Sequence, residues 1–150
     1  MSTDLATKDQ GAGGLLEQVV LGGDLSKLTS TQRVAYYRDV CRSLQLNPLT
    51  KPFSYLNLSG RLVLYANKDC TDQLRKVHSV SIAEPKLTDM GDFISVSVLA
   101  TDKDGRTDSD IGVVMKTDMQ RNIANVMKKA VTQAKRRVTL SLCGLGMLDE

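Results

Sequence analysis

The stretch from Met119 to Leu148 constrains this chain more than any other part of it. It carries Arg121, Lys128, Lys129, Lys135, Arg136 and Arg137, six of the twenty basic residues in 150, and no carboxylate. Its apolar residues recur with the period of an α-helix: at 3.6 residues per turn, Ile123, Met127, Ala130, Val131, Ala134, Val138 and Leu142 share one face. The segment therefore reads as a long helix, roughly Met119 to Leu142, with one side for a core and Gly144 placed to cap its end. Arg121, Lys128, Lys129, Lys135 and Arg136 fall on the opposite side. Arg137 falls on the edge of the apolar stripe, where its stem can pack while its guanidinium reaches out. A helix face that is merely solvated usually mixes signs, because opposite charges four residues apart stabilise a helix and like charges destabilise it. Here Lys128 is followed at that spacing by Thr132 and Lys129 by Gln133. The chain is +3 overall, yet outside this segment fourteen basic residues face seventeen acidic ones. A positive stretch on an otherwise mildly acidic protein suits a polyanion, and nucleic acid is the commonest.

What must pack against this helix follows from the rest of the chain. Hydrophobic content of 41% and charged content of 25% are ordinary for a globular protein with a core. Residues 1–13 are polar, small and Gly-rich, and are expected to be a disordered arm ahead of a single domain over residues 14–150. Gly14 to Lys27 is ambiguous, with room for a short helix. Thr29 and Gln32 fit a capping box opening a helix with Val34, Tyr37, Val40, Cys41 and Leu44 at helical spacing, which Asn47-Pro48 stops. Phe53 to Leu58 and Arg61 to Ala66 read as strands joined at Ser59-Gly60, a hairpin signal. Lys68 to His78 is a further helix, with Cys70, Leu74 and Val77 on one side. Val80 to Ile82, Phe93 to Thr101 and Thr107 to Met115 follow as strands, the last two joined through Asp102-Lys103-Asp104-Gly105. The predicted class is α+β: an antiparallel sheet, made of a β-hairpin, a helix and three strands, packed against the long C-terminal helix and preceded by an N-terminal helix.

Several residues invite a catalytic reading, and none sits in a pattern that chemistry requires. His78, the only histidine, ends a helix with no Cys or carboxylate cluster at ligand spacing, so no metal ligand or general base is expected there. Asp102, Asp104, Asp108 and Asp110 resemble a calcium loop, but Gly105 comes too early and no bidentate Glu follows, which favours a hairpin tip. Gly144-Leu145-Gly146 follows a helix and cannot aim helix N-terminal amides at a phosphate. No Walker-type GxxxxGK[ST] occurs, so ATP use is not expected. Tyr55 and Tyr65 could stack on unpaired bases, although strand tyrosines more often pack. Cys41, Cys70 and Cys143 are scattered and odd in number, which fits reduced thiols in a cytoplasmic protein. No apolar run approaches a membrane span and no signal peptide is evident.

Two stretches carry a family resemblance. Leu46-Asn47-Pro48-Leu49-Thr50-Lys51-Pro52-Phe53, followed by a hairpin, resembles the LNP-(F/W)-T-K-E-I-Y opening of the RecT and Redβ phage recombinases. Lys128 to Gly146, KKAVTQAKRRVTLSLCGLG, resembles the C-terminal helix of the wider single-strand annealing superfamily, which also includes Erf and the eukaryotic Rad-type annealing proteins. The resemblance implies ATP-independent annealing of complementary single-stranded DNA by a homo-oligomeric ring or filament encoded by a phage or prophage. It implies no cofactor and no bond-breaking chemistry, and as partners single-stranded DNA, the annealed duplex, and a phage exonuclease or host single-strand binding protein. Arg136 and Arg137 match the basic pair that lines the DNA groove in such families, with Lys135 adjacent. Leu140 stands where some relatives carry a further basic residue, and Pro52 where the motif has Glu.

The residues support the same chemistry separately. An annealing protein neutralises phosphates while leaving base edges free to pair, so its contacts should be Lys and Arg to backbone. Few contacts per subunit then require many subunits on one strand. Candidate DNA-binding residues are Arg136, Arg137, Lys135, Lys128, Lys129 and Arg121, supplemented by Arg61 and Lys51. The competing expectations are an interaction module whose basic helix docks an acidic protein, and a small metal-dependent nuclease built on Asp102 to Asp110.

Overall fold

The computed structural model describes residues 23–148, and at residues 119, 121 and 147 the backbone alone. The expected arm and most of the ambiguous stretch after it lie outside the described residues. The architecture is α+β, and the chain divides into two units, the first ending at Tyr65 and the second beginning at Ala66.

In the first unit, α1 spans Ser30–Ser43. It opens with the capping box the sequence predicts: Thr29 Oγ1 accepts from the Gln32 amide at 3.2 Å and Gln32 Oε1 accepts from the Thr29 amide at 2.9 Å. It ends earlier than Asn47-Pro48 would stop it. Gln45 turns left-handed at φ 59°, and the Leu46 amide bonds back to the Cys41 carbonyl at 2.8 Å, closing a Schellman motif without glycine. Asn47 instead caps a short 3-10 turn, Pro48–Thr50. Strands β1 (Phe53–Leu58) and β2 (Arg61–Ala66) form a two-stranded sheet of their own. Both turn residues, Ser59 and Gly60, have positive φ, the geometry of a type I′ hairpin.

The second unit begins with α2, Lys68–Val77, which buries Cys70, Thr71 and Leu74. Strands β3 (Ser81–Ile82), β4 (Lys86–Asp89), β5 (Phe93–Thr101) and β6 (Thr107–Met115) form an antiparallel sheet. β5 is its spine. It pairs along its whole length with β6, from Phe93 opposite Met115 to Thr101 opposite Thr107, and on its other edge with β4 and β3. β4 escaped the sequence reading because Lys-Leu-Thr-Asp has no apolar alternation; all four residues are exposed, and the strand exists through its ladder to β5.

Helix α3, Lys116–Leu142, covers one face of this sheet. Val96, Val98, Ala100 and Val114 from the sheet pack with Ala130, Ala134 and Val138 from the helix. The helix starts before Met119 and is interrupted at Asn122, whose backbone is extended and whose Oδ1 accepts from the Asn125 amide at 3.3 Å. Asn122 thus acts as an N-cap for the longer second part. At the far end Gly144, at φ 74°, completes a Schellman motif: its amide bonds to the Ser141 carbonyl and the Leu145 amide to the Leu140 carbonyl at 2.7 Å. Among the described residues, no helix is long and apolar enough to cross a membrane.

Candidate nucleic-acid interface

How deep each basic side chain of α3 sits is set by how the helix lies on the sheet. On β6, alternation turns Asp108, Asp110, Gly112 and Val114 toward α3. Gly112 lets the two backbones touch: a Cβ there would stand 2.3 Å from the Ala130 carbonyl oxygen. Sequence reading passed over Gly112, although a glycine inside an alternating strand is the usual mark of another backbone passing close by.

Helical periodicity placed Ala130, Ala134 and Val138 correctly, but it assumed one buried face, and α3 has two. Its other flank packs on α2, where the Arg75 guanidinium donates to Thr139 Oγ1 at 2.9 Å, and Thr139 donates in turn to the Lys135 carbonyl at 2.7 Å. Thr139 and Leu140 are fully buried. Arg136, one turn before Leu140, is only 9% exposed. Its expected place on the wet face is therefore corrected. Ile123, expected on the core face, is 52% exposed.

Arg137 lies at the edge of the stripe as expected, half-exposed, but its guanidinium faces an acid: Nε is 3.7 Å from Asp110 Oδ2. Lys135 is half-buried. Lys128 and Lys129 are exposed side by side in the first turns after the Asn122 interruption. A cleft of about 370 Å³ runs between α3 and β6, with Lys129, Asn122 and Gln133 as its donors, Asp118 as its acid, and Val113 and Val126 in its walls. Such a donor set can meet backbone phosphate oxygens or base edges. The side chain of Arg121 lies outside the described residues. Lys51 and Arg61, both exposed, belong to the first unit: Lys51 caps the 3-10 turn at φ 52°, and Arg61 opens β2.

The acidic loop is a hairpin tip. Asp102 Oδ1 accepts from the Asp104 and Arg106 amides at 2.9 and 3.0 Å, so its carboxylate organises its own turn. Asp108 accepts from Ser141 Oγ at 2.5 Å, and Asp110 faces Arg137. Among the described residues, no three His, Cys, Asp or Glu side chains gather to hold a metal ion. His78 is the exposed C-cap of α2, and Cys41, Cys70 and Cys143 are free thiols.

Comparison of the chain with protein-family models and with curated proteins finds no match.

Proposed function

We propose that this protein binds single-stranded DNA through its phosphates and anneals complementary strands without ATP, acting as an oligomer. The observation that carries the reading is the exposed pair Lys128 and Lys129 on a helix that bears no acid from Met119 onward, with Lys129 opening into a cleft whose other donors are amides. Lysines on flexible stems neutralise phosphate without reading sequence, and annealing requires that. Within this reading Arg136 and Arg137 hold the helix in place, and the phosphate contacts move about two turns toward its N-terminal end.

The test is an annealing assay on two complementary oligonucleotides without ATP, run over a salt series. Acceleration over the protein-free rate, and binding that weakens linearly in log–log with salt on any sequence, are expected. No acceleration sinks the reading. Salt-sensitive binding to an acidic protein, with none to oligonucleotides, would favour the interaction module.

A further inference from the structure

The first unit holds an open groove of about 560 Å³ that phosphate binding does not explain. Val34, Pro48, Leu49 and the rings of Tyr37 and Tyr55 line it, with Arg33 and Arg38 alongside. Val34 is 57% exposed and Leu49 88%, so the groove opens onto an apolar surface. It is also rigid. The Tyr37 hydroxyl donates to the Phe53 carbonyl and accepts from the Phe53 amide, both at 3.0 Å, and the Tyr55 hydroxyl donates to the Arg33 carbonyl at 2.7 Å. Burial pushes the Tyr55 phenol up to about 12. Both phenols are thus committed to the backbone, and what they offer a ligand is ring surface. Arg33 Nε is a buried donor that no described group accepts.

A second apolar surface lies on the second unit. The sheet face turned away from α3 exposes Leu99 and Ile111, together with Val113 and Met115 where the β6 edge borders the α3 cleft, at 43–49%. Four large aliphatic side chains on adjacent strands exceed the single scattered residues that any surface shows. Among the described residues β6 pairs only with β5, so this face ends at an open edge. The two surfaces belong to stretches of opposite charge. Residues 23–65 hold six Lys or Arg against two Asp, whereas residues 86–118 hold seven Asp against four Lys or Arg. Of those aspartates, Asp89, Asp92, Asp104 and Asp118 are exposed, as are the basic residues Lys86, Lys103 and Arg106.

We infer that the groove of the first unit receives the outer face of the β5–β6 hairpin of a second copy of this chain. DNA is the poorer occupant: Arg33 and Arg38 stand beside the groove, but its apolar floor offers phosphates no donor, and a base sequestered there could not pair. Such a contact joins two different surfaces, so it closes as a reciprocal pair where two copies can make it both ways, and otherwise propagates head to tail into a ring or a filament. The inference deepens the annealing reading and rests on it for the need of many subunits per strand.

Two full-length variants test it by light scattering: Leu49→Arg, which adds like charge to the groove, and Ile111→Asp/Val113→Asp, which adds like charge to the hairpin. The wild type should be larger than a monomer and each variant alone monomeric. An equimolar mixture should form a 1:1 dimer and nothing larger, because each variant keeps the face the other lacks. Circular dichroism checks folding, and Leu49→Ser and Val113→Ser replace any charged variant that fails it. A monomeric wild type, variants that assemble like wild type, or folded variants that stay monomeric when mixed would each overturn the contact. So would a Leu49→Arg protein that assembles normally but loses oligonucleotide binding, since DNA would then occupy the groove. A wild type that assembles in this way and anneals nothing would sink the annealing reading and leave the contact standing.

Discussion

The two halves of α3 carry similar charge and put it to different use. Toward the N-terminal end, Lys128 and Lys129 project into water beside a cleft. Toward the C-terminal end, Arg136 is buried and Arg137 meets Asp110. The difference is one of neighbours: the second half is clasped between the sheet and α2, while the first lies over the open end of β6. Net charge along a helix therefore measures what is available to a polyanion only after the charges committed to the fold are subtracted.

That contrast can be broken at its root by Gly112→Ala. With the new Cβ 2.3 Å from a backbone oxygen that cannot swing aside, helix and strand must separate. Overpacking typically costs about 1–3 kcal/mol, and a clash with backbone belongs at the upper end. Chemical denaturation should show the loss, and a variant as stable as wild type would mean the close approach is absent.

Arg136→Ala sharpens the contrast from the buried side. It should lower stability by about 1–3 kcal/mol, as truncation of a buried side chain does, while leaving the salt slope of oligonucleotide binding unchanged. A reduced slope with unchanged stability would return Arg136 to the DNA groove. Lys128→Ala/Lys129→Ala should do the reverse. Stability should stay within about 0.5 kcal/mol, as for exposed sites. The log–log salt slope should fall by about 1.4, because each single-strand phosphate that a lysine ceases to neutralise lowers it by roughly 0.7.

The smallest effect is expected from Asp110→Asn, which uncouples Arg137. An ion pair at 3.7 Å between partly exposed groups contributes under about 1 kcal/mol, so a cycle with Arg137→Ala should return a coupling of that size. Oligonucleotide binding should strengthen slightly as Arg137 is released. A large coupling would mean that the pair fastens the helix to β6.

Much of this fold could be read locally. The limits of β1, β2, β5 and β6, the Thr29 capping box and the glycine that ends α3 follow from turn chemistry and alternation, which depend on residues a few positions apart. The candidate site was less legible. A helical wheel knows the angle of Arg136 and Thr139 about the helix axis but cannot know that Arg136 ends up buried, or that a residue more than sixty positions earlier, Arg75, meets Thr139. Ile123 fails for the matching reason: the apolar stripe predicts contact, and beyond the interruption at Asn122 none buries it. β4 was invisible because an edge strand takes its order from its partner.

By itself the sequence determined an α+β chain with a long C-terminal helix whose positive charge has no acid beside it along the chain. Tertiary structure decided which of those charges remain in water. Propensity and periodicity act between near neighbours, whereas burial and ion pairing depend on which distant surfaces the fold brings together, as Asp110 and Arg137 do here.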